Sequence, residues 1–176
     1  FLDCDTIVDE NMISELVTLM ISKDSVGLVV PKIYFYEQPD LLWYAGAKLN
    51  LFTSQTVNIG VGEYDRGQYD KVFTVSHGPT TFMVSRKVIQ TIGGHDKKYF
   101  MCYADTDFAF RTTAAGYLSL FCPNAKLWHK IKLNKVKNSL SYYGFDSLQR
   151  TYHYARNRFL FMKTHAPLMH LLIFLF

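Results

Sequence analysis

Two pairs of carboxylates, each spaced one residue apart, offer the chemistry in this sequence. Asp3 and Asp5 lie in Phe1-Leu2-Asp3-Cys4-Asp5-Thr6-Ile7-Val8-Asp9, and Asp105 and Asp107 in Tyr103-Ala104-Asp105-Thr106-Asp107-Phe108. In an extended strand, residues two apart share a face. At a strand end Asp3 and Asp5 can therefore hold a hard cation, Mg²⁺ or Mn²⁺, that also carries substrate phosphates. A strand-to-helix turn with solvated acids fits the same stretch equally well. The second pair opens a helix expected over 106–115 and stopped by Gly116. Acids in a first turn suit the helix dipole. Positions two apart on a helix diverge, so one of the pair can serve the helix end while the other faces a cleft.

Two histidines and an aromatic pair join the candidates. His129 closes an apolar strand pattern and is followed by basic residues, which makes it a candidate metal ligand. His77, beside Gly78 in a loop expected at the cleft, reads as a loop residue rather than a ligand. Trp43 and Tyr44 could stack on a sugar or base, or simply cover the sheet.

The elements that must position these groups follow from periodicity. Asp9 can cap a helix over 9–22, in which Met12, Ile13, Leu16, Val17, Leu19 and Met20 recur at helical spacing. Residues 27–33 form a β-branched apolar run, the pattern of a buried strand. The β–α–β order points to an α/β domain with a partly parallel sheet, whose ligands gather at the carboxyl ends of strands, where Asp3 and Asp5 would lie. Residues 34–69 are weaker in regular structure, with a short strand at 41–46 and a loop punctuated by Gly60, Gly62 and Gly67. Strands are expected at 72–75 and 80–84, then a helix over 86–92 capped by Ser85 and closed by Gly93-Gly94. Two further strands, 117–122 and 125–128, lead to His129. From Asp146 the pattern is helical and amphipathic, with Arg150, Arg156, Arg158 and Lys163 among aromatics, as in a helix at a bilayer interface. The apolar run 168–176 that follows is nine residues, short of the roughly 20 needed to span a bilayer.

At 176 residues the chain suits one domain with a real core. The net charge of +4 is modest, and basic residues cluster at 126–137 and 150–163 beside apolar ones. That arrangement fits an anionic membrane surface and argues against nucleic acid as a partner. Three cysteines without metal-finger spacing read as reduced thiols in a cytosolic compartment. The chain opens without Met and stops inside an apolar run, and is expected to be a piece of a longer protein.

Taken in order, several stretches resemble family 2 glycosyltransferases of the GT-A fold, particularly rhamnosyltransferase-like and galactofuranosyltransferase-like members. They are Leu2-Asp3-Cys4-Asp5-Thr6, Trp43-Tyr44-Ala45-Gly46, the segment 78–94 ending in Ile92-Gly93-Gly94, and Tyr99-Phe100-Met101-Cys102-Tyr103-Ala104-Asp105-Thr106-Asp107-Phe108-Ala109-Phe110-Arg111. Ala114-Ala115-Gly116-Tyr117, Pro123-Asn124-Ala125-Lys126-Leu127-Trp128-His129-Lys130 and the segment 152–157 complete the set. The resemblance implies an α/β GT-A domain with a mixed, mostly parallel sheet flanked by helices over 1–140, lacking the family's N-terminal nucleotide-binding segment. A membrane-proximal helical tail over 141–176 would follow. It implies an inverting, Mn²⁺- or Mg²⁺-dependent transfer from a nucleotide-sugar donor to a glycan or lipid-linked acceptor. Such an enzyme would serve cell-surface polysaccharide synthesis at the cytoplasmic membrane face, held there peripherally or by a C-terminal anchor. Residue by residue, Asp3 and Asp5 resemble the donor and metal pair, with Asp5 and His129 as metal ligands and Asp105 as catalytic base. Trp43, Gly78, Asp107 and Arg156 become possible substrate contacts, Arg156 within a recurrent Arg-Asn pair completed by Asn157. Ala104 departs from the Glu that usually precedes the base.

Two other readings compete. Residues 1–6 also resemble the first motif of haloacid dehalogenase-like phosphohydrolases, with Asp3 as nucleophile. Ile7 departs from that motif, and no Lys with a paired acidic motif follows downstream. A non-catalytic, membrane-associated glycan-binding module is the third reading.

Overall fold

The run Val26–Phe35 has every residue buried, and a strand of that composition needs cover on both faces. In the computed structural model, which describes residues 1–79, 81–132 and 147–175, it becomes β2, a central strand of a mixed sheet. The sheet takes the order β1 (Thr6–Val8), β8 (Leu118–His129), β2, β3 (Gln38–Tyr44), with β6 (Phe73–Thr74) beside β8 and β7 (Met83–Val84) beside β2. Its parallel character resides in the long β2–β8 ladder at the centre, and the shorter flanking ladders are antiparallel. Helices α1 (Met12–Ile21), α2 (Arg86–Ile92) and α3 (Ala104–Ala114) flank it. Met12 and Leu16 of α1 and Phe108 and Ala109 of α3 join Val29, Val30, Ile33, Phe121 and Leu127 in one core.

Several local expectations hold. Helix α2 occupies the expected residues, with the Ser85 hydroxyl accepting from Val88 N at its start and Gly93 at φ 75° at its end. Gly116, at φ 88°, follows α3 as expected. Others change. Asp9 does not cap α1 directly; its Oδ1 accepts from Asn11 N, two residues on, forming a turn that feeds the helix. The expected strands 117–122 and 125–128 are one strand, because β8 absorbs Pro123, Asn124 and Ala125 as a bulge where Pro31 pairs with Cys122 and Lys32 with Lys126. Residues 34–69 carry more regular structure than expected: β3 and a separate hairpin of β4 (Ala47–Asn50) and β5 (Gln55–Asn58). The loop after the hairpin is tied to the sheet by the buried Lys32, whose Nζ lies 2.9 Å from Asp65 and 2.8 Å from Asp70.

A second apolar cluster joins the tail to the domain. Helix α4 (Leu148–His165) buries Phe161 and Met162 against Tyr99 and Tyr103, and α5 (Leu168–Leu175) adds Leu171 and Phe174. Among the described residues, no helix is long and apolar enough to cross a membrane. The expected boundary between 140 and 141 lies outside the described residues.

Candidate active site

Residues 3–5 are not the end of a strand. They form a turn just before β1, so the stretch is neither the strand end nor the strand-to-helix turn expected there. The Thr6 hydroxyl donates to the Asp3 carbonyl at 2.7 Å, and Lys130 N donates to the Asp5 carbonyl at 2.9 Å. The antiparallel register then pairs Thr6 with His129 and fixes the end of β8 against the turn. As a result His129 Nε2 sits 3.2 Å from Asp5 Oδ1, and ligand atoms of Asp3, Asp5 and His129 all fall within 4.8 Å of one another. His129 is buried, and its Nδ1 has no hydrogen-bond partner among the described residues. Trp43 meets its ring edge-on, with centroids 4.7 Å apart.

The electrostatics favour a cation here. Burial raises the Asp3 carboxyl above its ordinary value, the charges of Asp5 and Asp105 raise it further, and His129 opposes them. Acids crowded this way are relieved by a bound positive charge. Two carboxylates and an imidazole form a donor set that suits Mn²⁺ or Mg²⁺, with room for substrate oxygens.

Across the same cleft, of about 700 Å³, stands Asp105 at the first turn of α3. The loop before it has an unusual backbone, with Cys102 at φ 61° and Tyr103 at φ 64°. Non-glycine residues in that region cost about 1–3 kcal/mol each and persist only where neighbours hold them. Here the holder is Asn157 of α4, fully buried, whose Nδ2 donates to the Met101 carbonyl at 2.6 Å and the Cys102 carbonyl at 3.1 Å. Arg156 supports it, donating to Asn157 Oδ1 at 2.7 Å and to the Lys98 carbonyl at 3.0 Å. The Tyr103 hydroxyl donates to the Ser54 carbonyl. Asp105 Oδ1 lies 3.1 Å from His95 Nε2. Next to it, Thr106 Oγ1 lies 3.2 Å from Nδ1 of His77, whose pKa burial pushes down while the charge of Asp105 pulls it up. Lys130, Lys132 and Arg150 line the same cleft.

The predicted site residues therefore separate. Asp3, Asp5, Trp43, Asp105 and His129 line one cleft. Asp107 does not: its side chain is 1% exposed, held by Arg111 Nε at 2.7 Å and His165 Nε2 at 2.7 Å. Arg156 is the loop support just described rather than part of the cleft wall. Gly78 is buried where a Cβ would come within 2.4 Å of Val30, so its role is close packing on the core. His77 does reach the cleft. His95 was missed, and its only signal in the sequence was a polar ring following the glycine pair.

Residues 1–176 match the model of Glycosyl transferase family group 2, and the chain belongs to that family. It is 34% identical over 97 residues to the dTDP-rhamnosyl transferase RfbF of Shigella flexneri, covering 54% of this chain and 32% of that protein. It is 38% identical over 47 residues to the N-acetylglucosaminyl-diphospho-decaprenol L-rhamnosyltransferase of Mycobacterium tuberculosis, covering 27% of this chain and 15% of that one. The matched stretches thus span about a third or less of the length of these curated relatives. The crystal structure of GalNAc-T7 with UDP, GalNAc and Mn²⁺ shares the fold, with a TM-score of 0.56 at 18% identity over 73% of this chain and 26% of that chain. Family membership sets aside the phosphohydrolase reading of residues 1–6.

Proposed function

We propose that this chain carries the catalytic centre of an inverting, divalent-cation-dependent glycosyltransferase. It moves a sugar, rhamnose from a dTDP donor being the first candidate, onto a hydroxyl of a glycan or lipid-linked acceptor in cell-surface polysaccharide synthesis. One observation carries the reading: Asp3, Asp5 and His129 converge within 4.8 Å on a cleft that also holds Asp105. A cleft of about 700 Å³ has the size of a site for a nucleotide sugar. The relatives named for rhamnosyl transfer support the choice of sugar.

Asp3, Asp5 and His129 would hold Mn²⁺ or Mg²⁺, which neutralises charge on the departing diphosphate. Lys130, Lys132 and Arg150 add positive charge on the same cleft. Asp105 accepts the proton of the acceptor hydroxyl, whose oxygen bonds to the anomeric carbon from the face opposite the leaving group. The bond from that carbon to the diphosphate oxygen breaks, and its electron pair leaves with the diphosphate. Trp43, beside His129, walls the donor side.

The tail supports work at the cytoplasmic membrane face. Leu168, Met169, Leu172, Ile173 and Leu175 of α5 are exposed, as are Leu148, Tyr152 and Phe159 of α4, beside exposed basic residues of the same helix such as Lys163. An apolar surface with basic neighbours suits an anionic lipid interface.

The deciding experiment is a transfer assay of the full-length protein against a panel of nucleotide sugars, with Mn²⁺, with Mg²⁺ and with chelator. Turnover of dTDP-rhamnose that chelation abolishes, with an inverted product anomer by NMR, is the expected result. Undiminished turnover in chelator would sink the metal assignment, and a retained anomer the mechanism.

A further inference from the structure

The chain places a histidine against its base. His95 Nε2 lies 3.1 Å from Asp105 Oδ1. Its ring is fixed from several sides: it stacks on Phe108 with centroids 4.9 Å apart, meets Phe1 edge-on at 4.8 Å, and lies 6.0 Å from Phe82. These rings come from three distant segments, so the imidazole is held where it stands rather than swinging at the surface.

We propose that His95 is the positioning residue for Asp105, locking the orientation of its carboxylate by a hydrogen bond to Oδ1. The inference rests on the reading of Asp105 as the base. An ionised carboxylate only accepts hydrogen bonds, so Nε2 carries the proton and donates it. With Oδ1 engaged, Oδ2 is the oxygen that takes the proton of the acceptor hydroxyl. Ala104, the residue before Asp105, has no polar side chain with which to orient the base. Asp105 is 38% exposed, and an exposed carboxylate without a fixed partner samples several rotamers.

The test uses the full-length protein with dTDP-rhamnose and compares His95→Phe, which keeps the ring stack, with His95→Gln, which keeps a donor. His95→Phe is expected to lower kcat roughly 10- to 100-fold with KM for the donor unchanged, the loss typical of removing an orienting partner. His95→Gln should recover most of it. A wild-type kcat in His95→Phe, or equal losses in both variants, would overturn the proposal, the first result marking His95 as packing only. Asp105→Asn assayed alongside separates the two ideas. If that variant keeps turnover, the base reading fails and the proposal with it; if it is dead while His95→Phe is normal, only the proposal fails. Imidazole ¹⁵N spectra give a readout that needs no turnover. An Nε2-protonated His95 ring whose signal moves in Asp105→Asn supports the contact, and a ring indifferent to that substitution overturns it.

Discussion

Asp3 and Asp5 sit in a turn and both reach the cleft, whereas Asp105 and Asp107, at the same spacing, sit on a helix and part company. A turn lets two carboxylates converge because its backbone reverses between them. Successive helical positions rotate by 100°, so residues two apart point in widely different directions. In α3 this sends Asp105 to the cleft and Asp107 into the protein, where it ties Arg111 of its own helix to His165 at the end of α4. Identical spacing thus yields a pair of acids converging on the cleft in one place and, in the other, one acid on the cleft and one structural acid. The backbone, rather than the motif, assigns the roles.

The largest effect should come from the acid that reaches the cleft from α3. Asp105→Asn removes the proposed proton acceptor and keeps the shape of the side chain. General-base groups contribute roughly 10²–10⁴-fold, so kcat should fall by about 10³-fold while the donor dissociation constant, measured by calorimetry, stays put. Asp107→Asn should do the reverse. Breaking a buried charge pair costs about 3 kcal/mol, seen as a lower urea midpoint, with kcat retained in the folded fraction. Equal losses of kcat in the two variants would erase the distinction between them.

The same residue sets an acid dependence. Burial alone would raise the Asp107 carboxyl, but hydrogen bonds from His165 and Arg111 hold it below its ordinary value of 3.8. A group with a lowered folded-state pKa stabilises fully above its unfolded-state value and loses that contribution as pH falls through the folded-state value. The stability gap between wild type and Asp107→Asn should therefore be full at neutral pH and shrink below about pH 3.8. A gap independent of pH would mean that packing, not charge, holds Asp107.

For the first pair the effect is on the cation. Asp5→Ala or His129→Ala should weaken Mn²⁺-dependent donor binding roughly 10- to 100-fold by calorimetry, and Asp5→Ala, at an exposed position, should do so with little change in thermal stability. Unchanged binding in both would remove the cation from this turn.

How much of this was legible depended on range. The Ser85 cap and Gly93 stop of α2, the Gly116 stop of α3 and the buried run of β2 are local signals, and they were readable. The turn at residues 3–5 was not, because its shape is imposed by pairing with β8 more than 120 positions away. The fate of Asp107 was decided by His165, 58 residues on, and that of His95 by rings from Phe1, Phe82 and Phe108. Asn157 could be noticed as part of a pair, but its task, holding two left-handed residues ahead of Asp105, exists only in three dimensions.

The smallest predicted effect asks what shapes the first turn. Two contacts compete for that role: the Thr6 hydroxyl on the Asp3 carbonyl, and the backbone bond from Lys130 N to the Asp5 carbonyl with the β1–β8 ladder behind it. Thr6→Val removes the first and leaves the second, since valine suits a strand as well as threonine does. The lost bond is exposed, and a single neutral hydrogen bond contributes about 0.5–1.5 kcal/mol, with solvent competition placing this one at the low end. Mn²⁺ titration should accordingly show about two- to fourfold weaker binding, the factor that energy converts to. No change would assign the turn wholly to the ladder. A loss as large as that of Asp5→Ala would mean that Asp3, not His129, is the ligand the site depends on.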